Sequence, residues 1–571
     1  MKNKYWSLTN LSLQNDTPTF DGGGFQFFTE NSGSSESEQI YVHVDGYFLF
    51  REDCQQDIEL EDQESAVKIL YTKYGKEFVK KIKGIFTIVI LFRERFEIYT
   101  DHLGLSKFFY VEREGKFIIS NSFEKCVQNS SGEISPTNIA LFSLMYHFYD
   151  GITLFKDVFH ALPASAISYN GKKLEFSKYW TLNELRESKK EKSSLTLNEV
   201  HEKNLEVLKG YLDRFKGLKT SLTLTAGFDS RYILSGLLKL GAKPNTISYG
   251  NDAAKDVEIA GKISKGVGLT HSNYFLPYNL ETYTEYANRS IKSGEGLTHL
   301  HRAHRLYMSS NADLSGSVLF TGHNGGESIR GITYNDYFDS GLLKDINAGI
   351  EITEEYLRTK LKKYFIRDDK IDHAELIHKI KNYPFYSGNA QDNIFQFLYT
   401  NVASLHHYQD LFLYGLNSAH VVPFFLDIDI LTNLFRSDFN LFELNSVIKK
   451  QKFPKFYSTG IVENYPVLGK FIMNRNYSPT EYLKFGSLIY LIKKIRDRKE
   501  KKSVPNYSYG DWYPKFYKNE LDFKSSLFSE VYDLERVQNE LATQSHKTTE
   551  GYWLKFSNIV YFQKIYSSLR G

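Results

Sequence analysis

A chain of 571 residues exceeds what one hydrophobic core ordinarily holds, so two or three domains are expected. Hydrophobic and charged fractions of 41% and 24% exclude the disordered and fibrous classes. With 71 basic against 68 acidic side chains, the net charge of +3 gives no ground for a nucleic-acid-binding or membrane-surface protein.

Two cysteines, Cys54 and Cys126, argue against a disulfide framework and suit a reducing compartment. The opening Met-Lys-Asn-Lys-Tyr-Trp lacks the apolar core of a signal peptide, and no apolar stretch reaches spanning length, so a cytoplasmic location is expected. The basic run Lys493, Lys494, Arg496, Arg498, Lys499, Lys501 and Lys502 is interrupted by Asp497 and Glu500 at helical spacing. It reads as a solvated helix face.

In chain order, Ile40 to Phe50 reads as a strand and Glu64 to Lys83 as a helix. Further strands follow at Thr87 to Phe92 and Phe96 to Tyr99. A pair at Phe108 to Val111 and Lys116 to Ser120 is joined by a turn at Arg113 to Gly115. These predict a layered α/β or α+β domain over residues 1–185. Glu187 to Ser194 has no apolar residue and reads as a linker to a second domain over 196–571.

There, Asn198 to Phe215 is an amphipathic helix, and a short strand at Ser221 to Leu224 leads into Thr225-Ala226-Gly227-Phe228-Asp229-Ser230. Helical spacing resumes over Arg231 to Leu240. Strand, turn and helix in that order predict the first unit of a parallel sheet. Thr246 to Tyr249 and Ser317 to Phe320 are further strands, with a helix at Asp256 to Gly266 and a glycine-rich turn at Gly322 to Gly331. Residues from about Asn335 onward are expected to be mostly helical. The fold class is thus α/β, a layered sandwich followed by a doubly wound parallel sheet with added helices.

A turn at the C-terminal end of a parallel strand points backbone N–H groups at an anion, and pyrophosphate fits such a place. Gly227 would permit close backbone approach, the Thr225 and Ser230 hydroxyls could bond phosphate oxygens, and the Asp229 carboxylate could hold Mg2+. The hexapeptide alone reads equally well as a helix cap.

Thr-Ala-Gly-Phe-Asp-Ser resembles the Ser-Gly-Gly-Xaa-Asp-Ser pyrophosphate loop of the asparagine synthetase superfamily. Further resemblances follow in order: Ser248-Tyr249-Gly250 with Asp256, Ala260, Gly268 and His271; Val318 to Glu327, where that family has Ser-Gly-Glu-Gly-Xaa-Asp-Glu; and Val422-Pro423-Phe424-Phe425-Leu426-Asp427. In the first third, Asp62 to Phe86, Asp101 to Tyr110, and Leu154-Phe155 with Val158, Leu162-Pro163 and Gly171 resemble the family's glutaminase domain.

The resemblance implies a glutaminase-like first domain of N-terminal-nucleophile type and an ATP-binding, adenylating second domain. It places ATP and Mg2+ at Thr225, Ala226, Gly227, Phe228, Asp229, Ser230, Ser248 and Gly322. Asp229 would be a metal ligand, and Glu327 a second, since Gly326 stands where the family has aspartate. A first-turn acid facing the helix dipole is the alternative for Glu327.

His323 stands where asparagine synthetases carry glutamate and β-lactam synthetases tyrosine, so it could assist the attacking nitrogen, or be an ordinary loop histidine. Lys455, with Lys452 in reserve, is the candidate for the family lysine that neutralises the adenylation transition state; a surface lysine is the alternative. His299, His301 and His304 read as a polar substrate-cleft helix in preference to a metal site.

Lys2 occupies the place of the family's nucleophilic cysteine, which implies loss of glutamine hydrolysis, as in β-lactam synthetases and lasso-peptide cyclases. The expected activity is an AMP-forming ligation of a carboxylate to an amine. An asparagine synthetase fed by ammonia and a non-catalytic binding or assembly paralogue are the alternatives. Expected partners are a small-molecule or peptide substrate bearing a carboxylate and an amine, and proteins of a biosynthetic cluster; neither nucleic acid nor a membrane is expected.

Overall fold

The computed structural model describes residues 5–11, 18–30, 40–54, 62–145, 148–185, 194–295, 297, 302–326, 341–382, 419–437, 439, 447–499, 504–507, 509–544 and 550–570. The first domain is built from β1 (Trp6–Thr9), β2 (Phe20–Gly22), β3 (Phe25–Thr29), β4 (Tyr41–Phe50), β5 (Ile82–Leu91), β6 (Phe96–Thr100), β7 (Phe109–Arg113), β8 (Lys116–Ser120), β9 (Phe159–His160), β10 (Ser165–Tyr169) and β11 (Leu174–Lys178). They form two antiparallel sheets, β2-β3-β1-β8-β7-β9 and β11-β10-β6-β5-β4.

The alternation within β5 explains the layering. Phe86, Ile88 and Ile90 pack with Val67 and Leu70 of helix α1 (Gln63–Tyr74), while Val89 and Leu91 meet Trp6, Phe27 and Phe117 of the other sheet. Side chains two apart share a face, so the strand is buried on both sides. The opposite sheet is covered by α2 (Pro136–Met145), whose Ile139 and Phe142 join Phe109, Val111 and Ile118. The result is helix, sheet, sheet, helix.

The expected helix over Glu64 to Lys83 is shorter. It ends at Tyr74 because Gly75 takes φ 56°, and a 3-10 turn follows to Lys81. The segment Asp101 to Tyr110 is organised by one buried carboxylate. Asp101 accepts from the N–H groups of Leu103 (3.1 Å), Leu105 (3.0 Å) and Ser106 (2.8 Å). Burial nonetheless raises its pKa to about 6.

Helix α3 (Leu197–Arg214), opened by a Thr196–Glu199 capping box, leads into the second domain. Its sheet contains β12 (Lys219–Thr223), β13 (Asn245–Tyr249), β14 (His271–Tyr274), β15 (Ser317–Thr321) and β16 (His420–Pro423), all parallel, in the order β14-β13-β12-β15-β16. Helices α4 (Phe228–Lys239) and α5 (Lys255–Gly266) follow β12 and β13. Val318 and Phe320 pack on the α4 face, and Leu319 packs on the other with Met308 and with Leu103 and Trp180 of the first domain. Both sheet faces are covered, as a parallel sheet requires.

Among the described residues after 341, β16 is the one strand and the rest is helical, including α6 (Val447–Asn464), α7 (Ile489–Lys499) and α8 (Glu550–Arg570). Helix α8 returns to the first domain, its Phe562 ring lying 5.1 Å from Phe142 of α2.

Candidate active site

The order of the parallel strands locates the crevice. The chain moves from β12 outward through β13 to β14, then crosses to β15 and β16 on the other side. The reversal falls between β12 and β15, and ligands of doubly wound sheets bind outside the carboxyl ends of the strands at that point. Two turns emerge there: 224–227 after β12 and 322–326 after β15.

The turns meet at Asp229. A Cβ built on Gly322 would lie 3.1 Å from the Ser230 nitrogen and 3.2 Å from Asp229 Cβ. One on Gly325 would lie 2.8 Å from both Cβ and Cγ of Asp229 and 2.8 Å from Phe425 Cδ2. Glycine at 325 is therefore required by the close approach of the second turn to the first.

Helix α4 begins earlier than the sequence suggests. Gly227 is its N-cap, so Asp229 and Ser230 occupy the first helical turn and are not part of the loop. The Thr225 hydroxyl oxygen accepts from the Gly227 N–H at 3.1 Å, and Ser230 Oγ accepts from the Thr225 N–H at 3.1 Å. These local bonds shape the turn.

The expected ATP-binding residues thus divide. Thr225 is exposed and Gly227 and Asp229 are half-buried at the crevice, whereas Ala226, Phe228 and Ser230 are buried beneath it. Phe228 lies in an aromatic group with Phe453 (5.5 Å), Tyr457 (5.6 Å) and Tyr477 (6.5 Å). Ser248 is also buried and donates to the Leu224 carbonyl at 2.6 Å, which fixes the end of β12.

His323 is half-buried beside this junction, with Nδ1 2.7 Å from Thr321 Oγ. A hydroxyl can accept as well as donate. When Thr321 accepts, Nδ1 carries the proton and Nε2 is the basic nitrogen; Asn324 next to it is held at φ 64°.

Glu327 lies outside the described residues, as do Lys2, His299 and His301. Among the described residues, no group of three or more His, Cys, Asp or Glu is arranged to hold a metal. His304 is buried, its ring 4.5 Å from Tyr507 and 5.7 Å from Tyr249, so it packs at the carboxyl end of β13.

Lys455 is not brought to the turn. In α6, Phe453, Phe456 and Tyr457 face the loop helix, and at about 100° per residue Lys455 projects from the opposite side, where it is exposed. Gly460 confirms the orientation, since a Cβ there would meet the Tyr232 ring at 2.4 Å.

Sequence reasoning missed the segment 471–477. The Asn474 N–H donates to the Ala226 carbonyl at 3.4 Å, which lays this segment against the 224–227 turn, with Arg475 next in the chain. A contact across about 250 positions has no local signal.

In the first domain, the indole N–H of buried Trp6 donates to Asp45 at 3.2 Å, and Asn121 donates to the same carboxylate oxygen at 3.1 Å. Both cysteines are thiols; Cys126 is buried, and burial pushes its pKa up.

Residues 53–180 match the glutamine amidotransferase domain, and the N-terminal region is glutamine amidotransferase-like. One similar solved structure is the glutamine phosphoribosylpyrophosphate (PRPP) amidotransferase from B. subtilis complexed with ADP and GMP. It is 7% identical, with a TM-score of 0.20, over 68% of this chain and 89% of that one. No curated protein matches the sequence. Among the described residues, no helix is long and apolar enough to cross a membrane.

Proposed function

We propose that this chain is an ATP-dependent carboxylate–amine ligase that adenylates a substrate carboxylate, releases pyrophosphate and passes the acyl group to an amine. The observation that carries the reading is the meeting of the 224–227 and 322–326 turns on Asp229, at the strand-order reversal of a parallel sheet. The resemblance of the 225–230 hexapeptide to a pyrophosphate loop agrees with it in position.

Each chain group has a task that geometry permits. The α4 N-terminus and the Gly227 backbone would receive phosphate oxygens, with Thr225 exposed beside them. Asp229 suits Mg2+, which is commonly held by one or two carboxylates together with substrate phosphates and water. When bound, the ion would neutralise charge on the departing pyrophosphate. His323, with Nδ1 donating to Thr321, would present Nε2 as the base for the attacking nitrogen.

In this reading the amidotransferase-like domain is a scaffold, and the amine comes with the substrate. The test is pyrophosphate release from ATP by the whole chain, screened against carboxylate substrates with and without an internal amine. Asp229→Ala should abolish release while keeping the fold, because Asp229 is a half-buried carboxylate at the crevice. Release that survives in Asp229→Ala would sink the assignment. Failure of the intact protein to bind ATP would favour a non-catalytic binding protein.

A further inference from the structure

A triphosphate at the α4 N-terminus calls for a cation, and Lys455 faces away. The segment 471–477 offers one. It crosses the turn at the Asn474 to Ala226 hydrogen bond, and its Tyr477 ring lies 6.5 Å from Phe228. Between these two contacts sits Arg475, half-buried, its guanidinium carbon 5.4 Å from the centroid of Phe453. Phe453 in turn lies 5.5 Å from Phe228, the residue after Gly227. The guanidinium therefore rests on the aromatic group packed beneath the turn.

The segment is held at both ends. At one end the fully buried Arg231 of α4 donates to the carbonyls of Phe471 (2.6 Å) and Ile472 (3.2 Å). At the other, Arg496 donates to the Asn476 carbonyl at 2.8 Å, and Asn476 donates to Asp497 at 2.7 Å. Lys255 of α5 donates to the Asn476 side chain. Asn476 itself sits at φ 60°, and a Met473 to Tyr477 bond of 2.9 Å closes the loop. Helices α4, α5 and α7 thus fix a strap whose central side chain is a permanently charged planar fork, a shape that matches phosphate oxygens.

We propose that Arg475 binds the phosphate chain of ATP and the pyrophosphate that leaves, with Arg231 as the residue that positions its strap. This rests on the nucleotide reading of the site. Arg475 touches the ligand; Arg231 acts only through the Phe471 and Ile472 carbonyls.

The test titrates the full chain with magnesium pyrophosphate, magnesium ATP and adenosine by calorimetry. Arg475→Ala should weaken both phosphate ligands about tenfold to a hundredfold, the scale of one charge-assisted hydrogen-bonding group, and leave adenosine affinity unchanged. Arg475→Lys should restore part of the loss. Arg231→Gln should weaken pyrophosphate in the wild-type background but not further in Arg475→Ala, although it lowers thermal stability in both; that non-additivity separates positioning from general damage.

Wild-type pyrophosphate affinity in Arg475→Ala would overturn the inference, as would equal weakening of adenosine and pyrophosphate. A wild-type protein that binds no magnesium ATP would refute the nucleotide reading itself, and this inference with it.

Discussion

Gly325→Ala tests the geometry of the site by a single methyl group. The new Cβ would lie 2.8 Å from Asp229 Cβ, from Asp229 Cγ and from Phe425 Cδ2. Carbon atoms rest at about 3.5–4.0 Å, so the overlap is at least about 0.7 Å on two sides. Phe425 cannot give way: it is fully buried, with its ring 5.8 Å from Tyr457 and 6.0 Å from Tyr232. The relief must come from Asp229 or from the 322–326 turn. Gly325 does not have a positive φ, so alanine adds no backbone strain and the effect is steric. Overpacking of this kind costs about 1–3 kcal/mol. A displacement near 1 Å at a reacting group can cost about 10²-fold in rate. Urea unfolding should therefore show a loss within that range, and magnesium ATP affinity or pyrophosphate release should fall at least about tenfold. Gly210→Ala is the control, because its Cβ meets only Leu49 Cδ2 at 3.8 Å, an ordinary contact. A Gly325→Ala protein with unchanged stability and unchanged nucleotide affinity would refute the claim that the two turns meet at Asp229.

Lys83→Ala should destabilise the protein by about 3–5 kcal/mol in chemical unfolding, since it leaves Asp427 buried without its cation and Asp429 with Arg51 alone; a loss under about 1 kcal/mol would contradict the buried-cluster reading. Burial alone would lower the Lys83 pKa, but Asp427 and Asp429 raise it above its ordinary value, while Lys83 and Arg51 hold Asp429 below its own against burial. The Lys83 contribution is complete below about pH 10.5 and is lost as pH rises through the raised value; that of Asp429 is complete above about pH 4 and is lost as pH falls through the lowered one. Stability curves of wild type and Lys83→Ala should therefore differ most between those limits and converge at acid pH. His323→Ala should keep ATP-dependent pyrophosphate exchange and lose amide formation by about 10²-fold to 10⁴-fold; equal loss of both half-reactions would make His323 a loop-shaping residue. Supplied glutamine should yield no glutamate above background, because neither thiol sits beside a free amine: the Cys54 N–H is an in-chain amide that donates to the Arg51 carbonyl at 2.9 Å, and Cys126 is buried within the helix Phe123–Gln128; glutamate formed at the rate of product would overturn the scaffold reading.

What was legible in the sequence was what local pattern encodes. The turn at Arg113 to Gly115 was readable because a charged stretch containing Gly115 separates two apolar runs, and there Glu114 and Gly115 both adopt positive φ. The unit β12–α4 was readable because Leu222 and Leu224 alternate with hydroxyl residues just before a polar, glycine-containing turn. The boundary was not: Gly227 caps the helix through its backbone alone, and a glycine cap leaves no side-chain signal that separates it from the loop. Strand β14, His-Ser-Asn-Tyr, carries no apolar alternation because all four of its residues are half-exposed at the sheet edge. For Lys455, the resemblance points to a lysine in the helical region, whereas which side of α6 faces α4 is decided by Phe453, Phe456, Tyr457 and Gly460 packing together. Arg475 had no signal at all, since its strap is placed by Arg231 and Arg496 from distant helices.

The same distinction bears on why an amidotransferase-like domain persists beside the parallel sheet. Asp427 caps the helix Ile428–Phe435 by accepting from the Asp429 and Ile430 N–H groups, and on its other oxygen accepts from Tyr211 at 2.6 Å. Its charge is matched by Lys83 of β5, reaching across from the first domain, and Asp429 is matched by Lys83 and Arg51. Tyr47 of β4 donates to the Val421 carbonyl of β16 at 2.8 Å, and Lys203 of α3 pairs with Glu52. An assembled buried ion cluster adds little net stability, but either half alone holds uncompensated charge, so it penalises any other docking of the two domains. Helix α8 adds a second tie by packing on α2. The segment Val422 to Asp427 is thus explained by the domain junction, independently of any chemistry at the sheet. Removal of the first domain would take Lys83 and Arg51 from the buried Asp427 and Asp429 and uncover the Leu319 face of the sheet, so the second domain is expected to lose stability without it, whether or not the first hydrolyses glutamine.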